Sequence, residues 1–270
     1  MKFRCRYNVE DRERSGKMND LFHIKKKACI FDLDGTLADT VVSIAHSGNQ
    51  TLAAFGYAAL PEQNYNYYAG DGAKELTRRF LSAAREIKQS GRQEDTERIL
   101  ADAPHEWQRA ERIPDTDAEF QAVFAEYRRI FARDCMYRVK PFDGIPELLS
   151  ELRRRGIRTA VLSNKPHIQT IDVVEKIFGK NLFDWVQGQQ DGIPKKPAPD
   201  GALRIAERFS VRPEECIYSG DTNTDMQTGN AAGMLTLGVL WGFRDEKELL
   251  DNHAAALLRK PEELLRYLGE

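Results

Sequence analysis

Short apolar runs, several of which break off at a charged or hydroxyl-bearing residue, constrain this chain most. They are Ala28–Phe31, Thr159–Leu162, Trp185–Val186, Cys216–Ser219 and Thr236–Trp241. Runs this short suit buried strands and fall below helix length. Helical spacing separates most of them. After Phe142-Asp143-Gly144, the apolar Ile145, Leu148, Leu149 and Leu152 mark one face of a helix. Asp143 is expected to cap it, Pro146 to occupy its first turn and Gly156 to end it. Further helices are expected over Ile168–Phe178, after Pro199 and after Asn223. Strands alternating with helices predict an α/β fold with a doubly wound, Rossmann-like parallel sheet, whose ligands lie beyond the carboxyl ends of the strands.

Residues 41–138 break that alternation. Phe120, Val123, Phe124, Tyr127 and Phe131 form a helical stripe that reads as core packing. The expected organisation is a core of residues 25–40 and 139–270 with an inserted α-helical cap domain over 41–138. Polar Lys88–Asp95 and the Pro114–Asp117 turn are expected to divide the cap helices. Residues 1–24 are expected to be a basic, solvated, partly disordered leader. Residues 2–27 hold nine Lys/Arg against four acids, but the aromatic interleaving and periodicity expected of a nucleic-acid arm are weak.

Composition excludes more than it assigns. The net charge is −2 over 270 residues, which offers nothing to a polyanion or a membrane surface at whole-chain level. No apolar run approaches the ~18 residues of a membrane span, and no apolar segment follows the N-terminal charges as in a signal peptide. The cysteines Cys5, Cys29, Cys135 and Cys216 are widely spaced and read as free thiols. A cytoplasmic protein without nucleic-acid or membrane partners, monomeric or homodimeric, is expected.

The chemistry concentrates at the ends of the apolar runs. In Phe31-Asp32-Leu33-Asp34-Gly35-Thr36-Leu37, two aspartates separated by one residue follow a strand. One carboxylate can attack and the other exchange protons with a leaving oxygen. Hard oxygen ligands favour Mg²⁺. Gly35 permits a tight turn whose backbone N–H groups can face a phosphate. Ser163, in Leu162-Ser163-Asn164-Lys165, can donate to a phosphate oxygen. In Lys196-Pro197-Ala198-Pro199-Asp200 a positioned ammonium can neutralise a transferring phosphoryl group. Ser219-Gly220-Asp221-Thr222-Asn223-Thr224-Asp225-Met226 ends a further strand in acids.

In this order, the four segments resemble the signatures of the haloacid dehalogenase-like (HAD) phosphatase superfamily, and they span most of the chain. Ala69-Gly70-Asp71-Gly72-Ala73-Lys74-Glu75-Leu76 and Gly238-Val239-Leu240-Trp241-Gly242-Phe243-Arg244 are similar to the phosphoglycolate phosphatase-like group. The cap is longer than that pattern between about Lys88 and Ala118, and the leader has no counterpart in it. The resemblance implies a phosphoric monoester hydrolase with Asp32 as nucleophile and Asp34 as acid and base. Ser163 and Lys196 would hold the phosphoryl oxygens. Mg²⁺ would be bound by Asp32, the Asp34 carbonyl and Asp221, with Asp225 a further ligand or a partner orienting Lys196 or a metal water. Gly35, Thr36, Asn164, Gly72 and Lys74 are the candidate substrate contacts. Lys74 is either the contact for an anionic leaving group or a solvated helix-start lysine.

The expected activity is Mg²⁺-dependent hydrolysis of a small phosphorylated metabolite, phosphoglycolate first among them, through an aspartyl phosphate. A phosphomutase of the beta-phosphoglucomutase type would use much the same residues. A catalytically inactive phosphate-binding or regulatory module is the alternative from another class, and Mg²⁺-dependent turnover of p-nitrophenyl phosphate separates it from an enzyme.

Overall fold

The computed structural model describes residues 20–90 and 113–269. Its centre is β1, Ala28–Phe31, in which every residue is buried. A strand covered on both faces reads as a continuous apolar run. Around it lie β4 (Arg158–Pro166), β5 (Trp185–Gln189), β6 (Cys216–Gly220), β7 (Leu235–Val239) and β8 (Ala256–Leu258). The sheet order is β5-β4-β1-β6-β7-β8 and every pairing is parallel. The chain therefore steps to one side of β1 and later returns to the other. That reversal places the carboxyl ends of β1, β4 and β6 around one crevice. The remaining two strands, β2 (Ala38–Asp39) and β3 (Lys140–Pro141), pair antiparallel where the chain leaves and rejoins the sheet.

Alternation along β1 supplies two cores. Cys29 and Phe31 face a cluster with Leu149, Val173 and Leu237; Ala28 and Ile30 face one with Ala202, Ile205 and Met234. Helices α5 (Ile145–Arg154), α6 (His167–Phe178), α7 (Asp200–Arg208), α8 (Asn223–Ala231) and α9 (Glu246–Asp251) follow the strands. The start of α5 differs from expectation. Its N-cap is Gly144, at φ +85°, and no side chain caps it. β8 lies outside the expected strands: it has three residues, of which Leu258 alone is buried, and so short a segment carries little pattern.

Helices α1 (Val41–Ala54), α2 (Tyr65–Tyr68), α3 (Ala73–Ser90) and α4 (Ala118–Asp134) build a separate apolar cluster. Tyr65, Tyr68, Phe80, Phe120, Val123 and Tyr127 are its buried centre. Fully burying such a side chain is worth about 1.5–3 kcal/mol, so this layer has a core of its own. Asp117 caps α4, accepting from Phe120 N. Lys88 belongs to α3, so that helix runs into the stretch expected to end it. Residues 91–95 of that stretch, most of the longer cap segment and residues 1–19 of the leader lie outside the described residues. Among the described residues no helix is long and apolar enough to cross a membrane.

Candidate active site

The turn after β1 is pinned from inside. Leu33 and Leu37 are fully buried, and the Leu33 carbonyl accepts from the N–H groups of Thr36, Leu37 and Ala38. Alternation about these two anchors turns Asp32 and Asp34 out of the core. Asp32 N donates to Ser219 O of β6 at 2.9 Å, which ties the turn to the neighbouring strand end. Gly35 sits at φ +81°. A Cβ there would lie 2.2 Å from Asp221 Oδ2, so only glycine lets Asp221 come this close. The Gly35 N–H does not face the cleft as expected; it donates to Ala38 O at 3.0 Å and closes the turn.

Asp32, Asp221 and Asp225 each offer a carboxylate oxygen, and these atoms lie within 4.8 Å of one another. Three buried acids this close repel unless a cation joins them. Lys196 supplies one positive charge: its Nζ is 2.8 Å from Asp32 Oδ1 and 2.7 Å from Asp225 Oδ1. Burial works against the ammonium, yet Asp225 and Asp32 outweigh it and hold Lys196 charged well above the ordinary lysine range. Burial pushes the Asp32 carboxyl up; Asp225 adds to that and Lys196 opposes it. Burial, with the Asp225 charge, raises Asp221 to about 7, against donors from Phe243 N and Thr36.

The acids differ in what their oxygens already accept. Asp225 Oδ1 takes Lys196 Nζ and Tyr218 Oη, and its Oδ2 takes the N–H and hydroxyl of Thr222. All four acceptor positions are filled. Asp221 takes one donor per oxygen, Thr36 Oγ1 at 2.7 Å and Phe243 N at 2.8 Å, leaving two lone pairs open. Oδ1 of Asp32 and Oδ1 of Asp34 are buried without a well-aligned hydrogen-bond donor among the described residues. This set of hard, under-satisfied oxygens fits a divalent cation.

A cleft of about 430 Å³ opens over the turn. Asp32, Asp34, Ser163, Asn164 and Lys165 form its floor, while Ile44, Gly72, Leu76, Tyr127 and Phe131 come from the helical layer. Of the expected substrate contacts, Gly72 and Asn164 line it. The Asn164 amide is committed to Gly70 O and to both backbone groups of Lys196. Thr36 serves Asp221 instead. Lys74 is not brought in: it is half exposed and pairs with Asp115 at 2.5 Å. Lys165 lies in the cleft, although its motif assigned it no role, and its Nζ is 2.8 Å from Asp34 Oδ1.

Residues 29–239 match the model of the haloacid dehalogenase-like hydrolases. The chain belongs to this family. Its relatives include the phosphoglycolate phosphatase of Nitrosospira multiformis, 27% identical over 237 residues, covering 88% of this chain and 93% of that one. The Escherichia coli phosphoglycolate phosphatase is also 27% identical, covering 88% and 91%. Among solved structures, a protein of Lactobacillus delbrueckii provisionally named a phosphoglycolate phosphatase superposes with a TM-score of 0.76 at 29% identity, over 91% of this chain and 99% of that one. CbbY of Rhodobacter sphaeroides, solved with xylulose-1,5-bisphosphate, shares the fold with a TM-score of 0.66 at 22% identity, over 91% and 100%. This HAD-like hydrolase thus stands with the phosphoglycolate phosphatase-like members, and as an enzyme with the phosphoric monoester hydrolases.

Proposed function

We propose that this HAD-like hydrolase is a Mg²⁺-dependent phosphatase that cleaves a small phosphate monoester, phosphoglycolate in the first instance, by way of a phosphorylated Asp32. The observation that carries the reading is the convergence of Asp32, Lys196, Asp221 and Asp225 at the ends of β1 and β6, beside a cleft that Asp32 and Asp34 line. The named substrate rests on the relatives from Nitrosospira and Escherichia.

Asp32, Asp221 and the Asp34 carbonyl would hold Mg²⁺. The ion, when bound, supplies the positive charge that lets a carboxylate approach a phosphate dianion. Asp32 attacks phosphorus and takes the phosphoryl group. Asp34 gives a proton to the departing alkoxide, then accepts one from the water that cleaves the aspartyl phosphate, a role typically worth ~10²–10⁴-fold. Ser163 Oγ and Lys196 Nζ hold the phosphoryl oxygens. Asp225, saturated by donors, acts by fixing Lys196. Residues 41–138 serve as a cap whose Tyr127 and Phe131 keep water from the leaving group.

Turnover of p-nitrophenyl phosphate in Mg²⁺, lost in EDTA, tests the reading. Asp32→Asn is expected to lower kcat by at least about 10³-fold while the circular dichroism spectrum is unchanged. Wild-type-like turnover by that variant would remove Asp32 as the nucleophile.

A further inference from the structure

Lys165 Nζ has two neighbours of different kinds: Asp34 Oδ1 at 2.8 Å and the face of Phe131, 4.7 Å from the ring centroid. Its side chain is 2% exposed. Among the described residues lining the cleft it is the one cation. Its backbone is fixed on both sides: Lys165 N donates to Ser163 Oγ at 3.2 Å, and Lys165 O accepts from Thr170 Oγ1 at 3.1 Å. The ammonium is therefore held at one place, with a third donor direction still unassigned among the described contacts.

That place is on the leaving-group side. The phosphoryl group, on the proposed function, lies between Asp32, Ser163 and Lys196. Asp34 meets the bridging oxygen. Lys165 reaches Asp34 from the flank of Phe131, a residue of α4, where the body of the alcohol must sit. The other walls there include Ile44, Leu76, Ala69 and Ala73, none of which can pair with a polar group through its side chain, and Tyr127, whose hydroxyl is uncharged. An anion in that space would find one cationic partner among the described lining residues, whereas an uncharged leaving group would leave that ammonium without a counter-charge from the substrate.

Resting on the phosphatase reading, we infer that Lys165 is the specificity-determining residue of the cleft and selects phosphate esters whose leaving alcohol carries a carboxylate close to the ester oxygen. The 2-hydroxycarboxylates are this class. The carboxylate binds the unassigned donor of Lys165 while Phe131 supports the ammonium from its other side. A charge-assisted hydrogen bond in a water-poor site discriminates by about 10- to 100-fold.

The experiment compares kcat/KM for phosphoglycolate, for ethyl phosphate of similar size without the carboxylate, and for p-nitrophenyl phosphate, all in Mg²⁺. Wild type is expected to favour phosphoglycolate over ethyl phosphate. Lys165→Met, which retains length and can rest on Phe131, is expected to lower that ratio by about 10- to 100-fold, and Lys165→Arg to restore most of it. A ratio left unchanged by Lys165→Met overturns the inference, as does an equal fall on both esters, which would reduce Lys165 to a support for Asp34. Should Lys165→Met fail to fold, inhibition of the wild type decides: glycolate is expected to inhibit p-nitrophenyl phosphate turnover at about tenfold lower concentration than ethylene glycol, and equal inhibition overturns the inference. Turnover of p-nitrophenyl phosphate without preference for phosphoglycolate sinks this inference alone; no turnover of any ester in Mg²⁺ sinks the phosphatase reading beneath it.

Discussion

The side-chain amide of Asn164 is bonded to both backbone groups of Lys196: its Oδ1 accepts from Lys196 N at 2.9 Å and its Nδ2 donates to Lys196 O at 3.0 Å. The pairing copies one rung of a sheet ladder, using a side chain in place of a strand. It links the end of β4 to the segment that carries the buried ammonium, across 32 residues of sequence. The same Nδ2 reaches Gly70 O, at the mouth of the cleft.

Asn164→Ala is expected to lower activity chiefly through kcat. It leaves the Lys196 N–H and C=O buried without their partner, a loss of about 1–3 kcal/mol in stability, and it frees the ammonium to drift from Asp32. Denaturant unfolding and steady-state kinetics on one preparation check both effects. A variant with full kcat and reduced stability alone would show that Asn164 braces the fold and does not place Lys196.

Gly35→Ala tests the approach of Asp221. The added methyl would lie 2.2 Å from Asp221 Oδ2, and the backbone there, at φ +81°, is strained for alanine by roughly 1–2 kcal/mol. The carboxylate must move away from Asp32. We expect the Mg²⁺ concentration for half-maximal activity to rise at least about tenfold, in line with the effect of disturbing groups around a metal site. An unchanged Mg²⁺ dependence would mean that Asp221 is not placed by this contact.

The acid cluster gives a pH dependence of definite sign. Asp221 is raised from 3.8 to about 7, first by burial and then by Asp225. A carboxyl whose pKa is higher in the folded state binds more protons there, so its contribution to stability is present at low pH and is lost as pH rises through about 7. Metal-free wild type is therefore expected to lose Tm between pH 5 and pH 8 relative to Asp221→Asn. Saturating Mg²⁺ is expected to remove the difference in wild type, because the ion replaces the proton. Parallel Tm curves for the two metal-free proteins would contradict the charge placement.

The sheet and the acids were legible because each is encoded locally. A buried strand writes itself as an apolar run, and Asp32, Asp34, Asp221 and Asp225 stand directly after two such runs. What was not legible depends on contacts between distant segments. Lys74 stands at the start of α3, just after a loop of the right composition, but Asp115, 41 residues away, draws it off. Lys165 was overlooked because a lysine after a strand end reads as solvated; only the packing of Phe131 against it turns it into a buried group. Thr36 looked like a phosphate contact and instead orients Asp221, a partner 185 residues on. Asp143 lost its capping position to Gly144 because the left-handed turn there already sets the entry of α5.

Arg244 ties down the loop that forms one wall of the cleft. Its guanidinium donates to the carbonyls of Asn66, of Tyr67 at 3.3 Å and of Ala69 at 2.9 Å, while Glu248 steadies it at 3.1 Å. Two further bonds secure the adjoining turn, Thr224 Oγ1 to Asp71 Oδ1 and Lys195 Nζ to Asp71 O, both at 2.8 Å. Ala69, Gly70 and Gly72 line the cleft, so the position of this loop sets that wall. Arg244→Ala removes several donors from one loop, and bonds to a charged group are worth about 1.5–3 kcal/mol each. Amide exchange over residues 66–72 is expected to accelerate. The kinetic effect should fall more on KM than on kcat, since the acids beneath the loop keep their own contacts. Arg244→Lys retains the charge but not the fork that meets several carbonyls, so it should recover only part of the loss. Exchange unchanged in Arg244→Ala would show that the turn at Asp71 holds the loop without it.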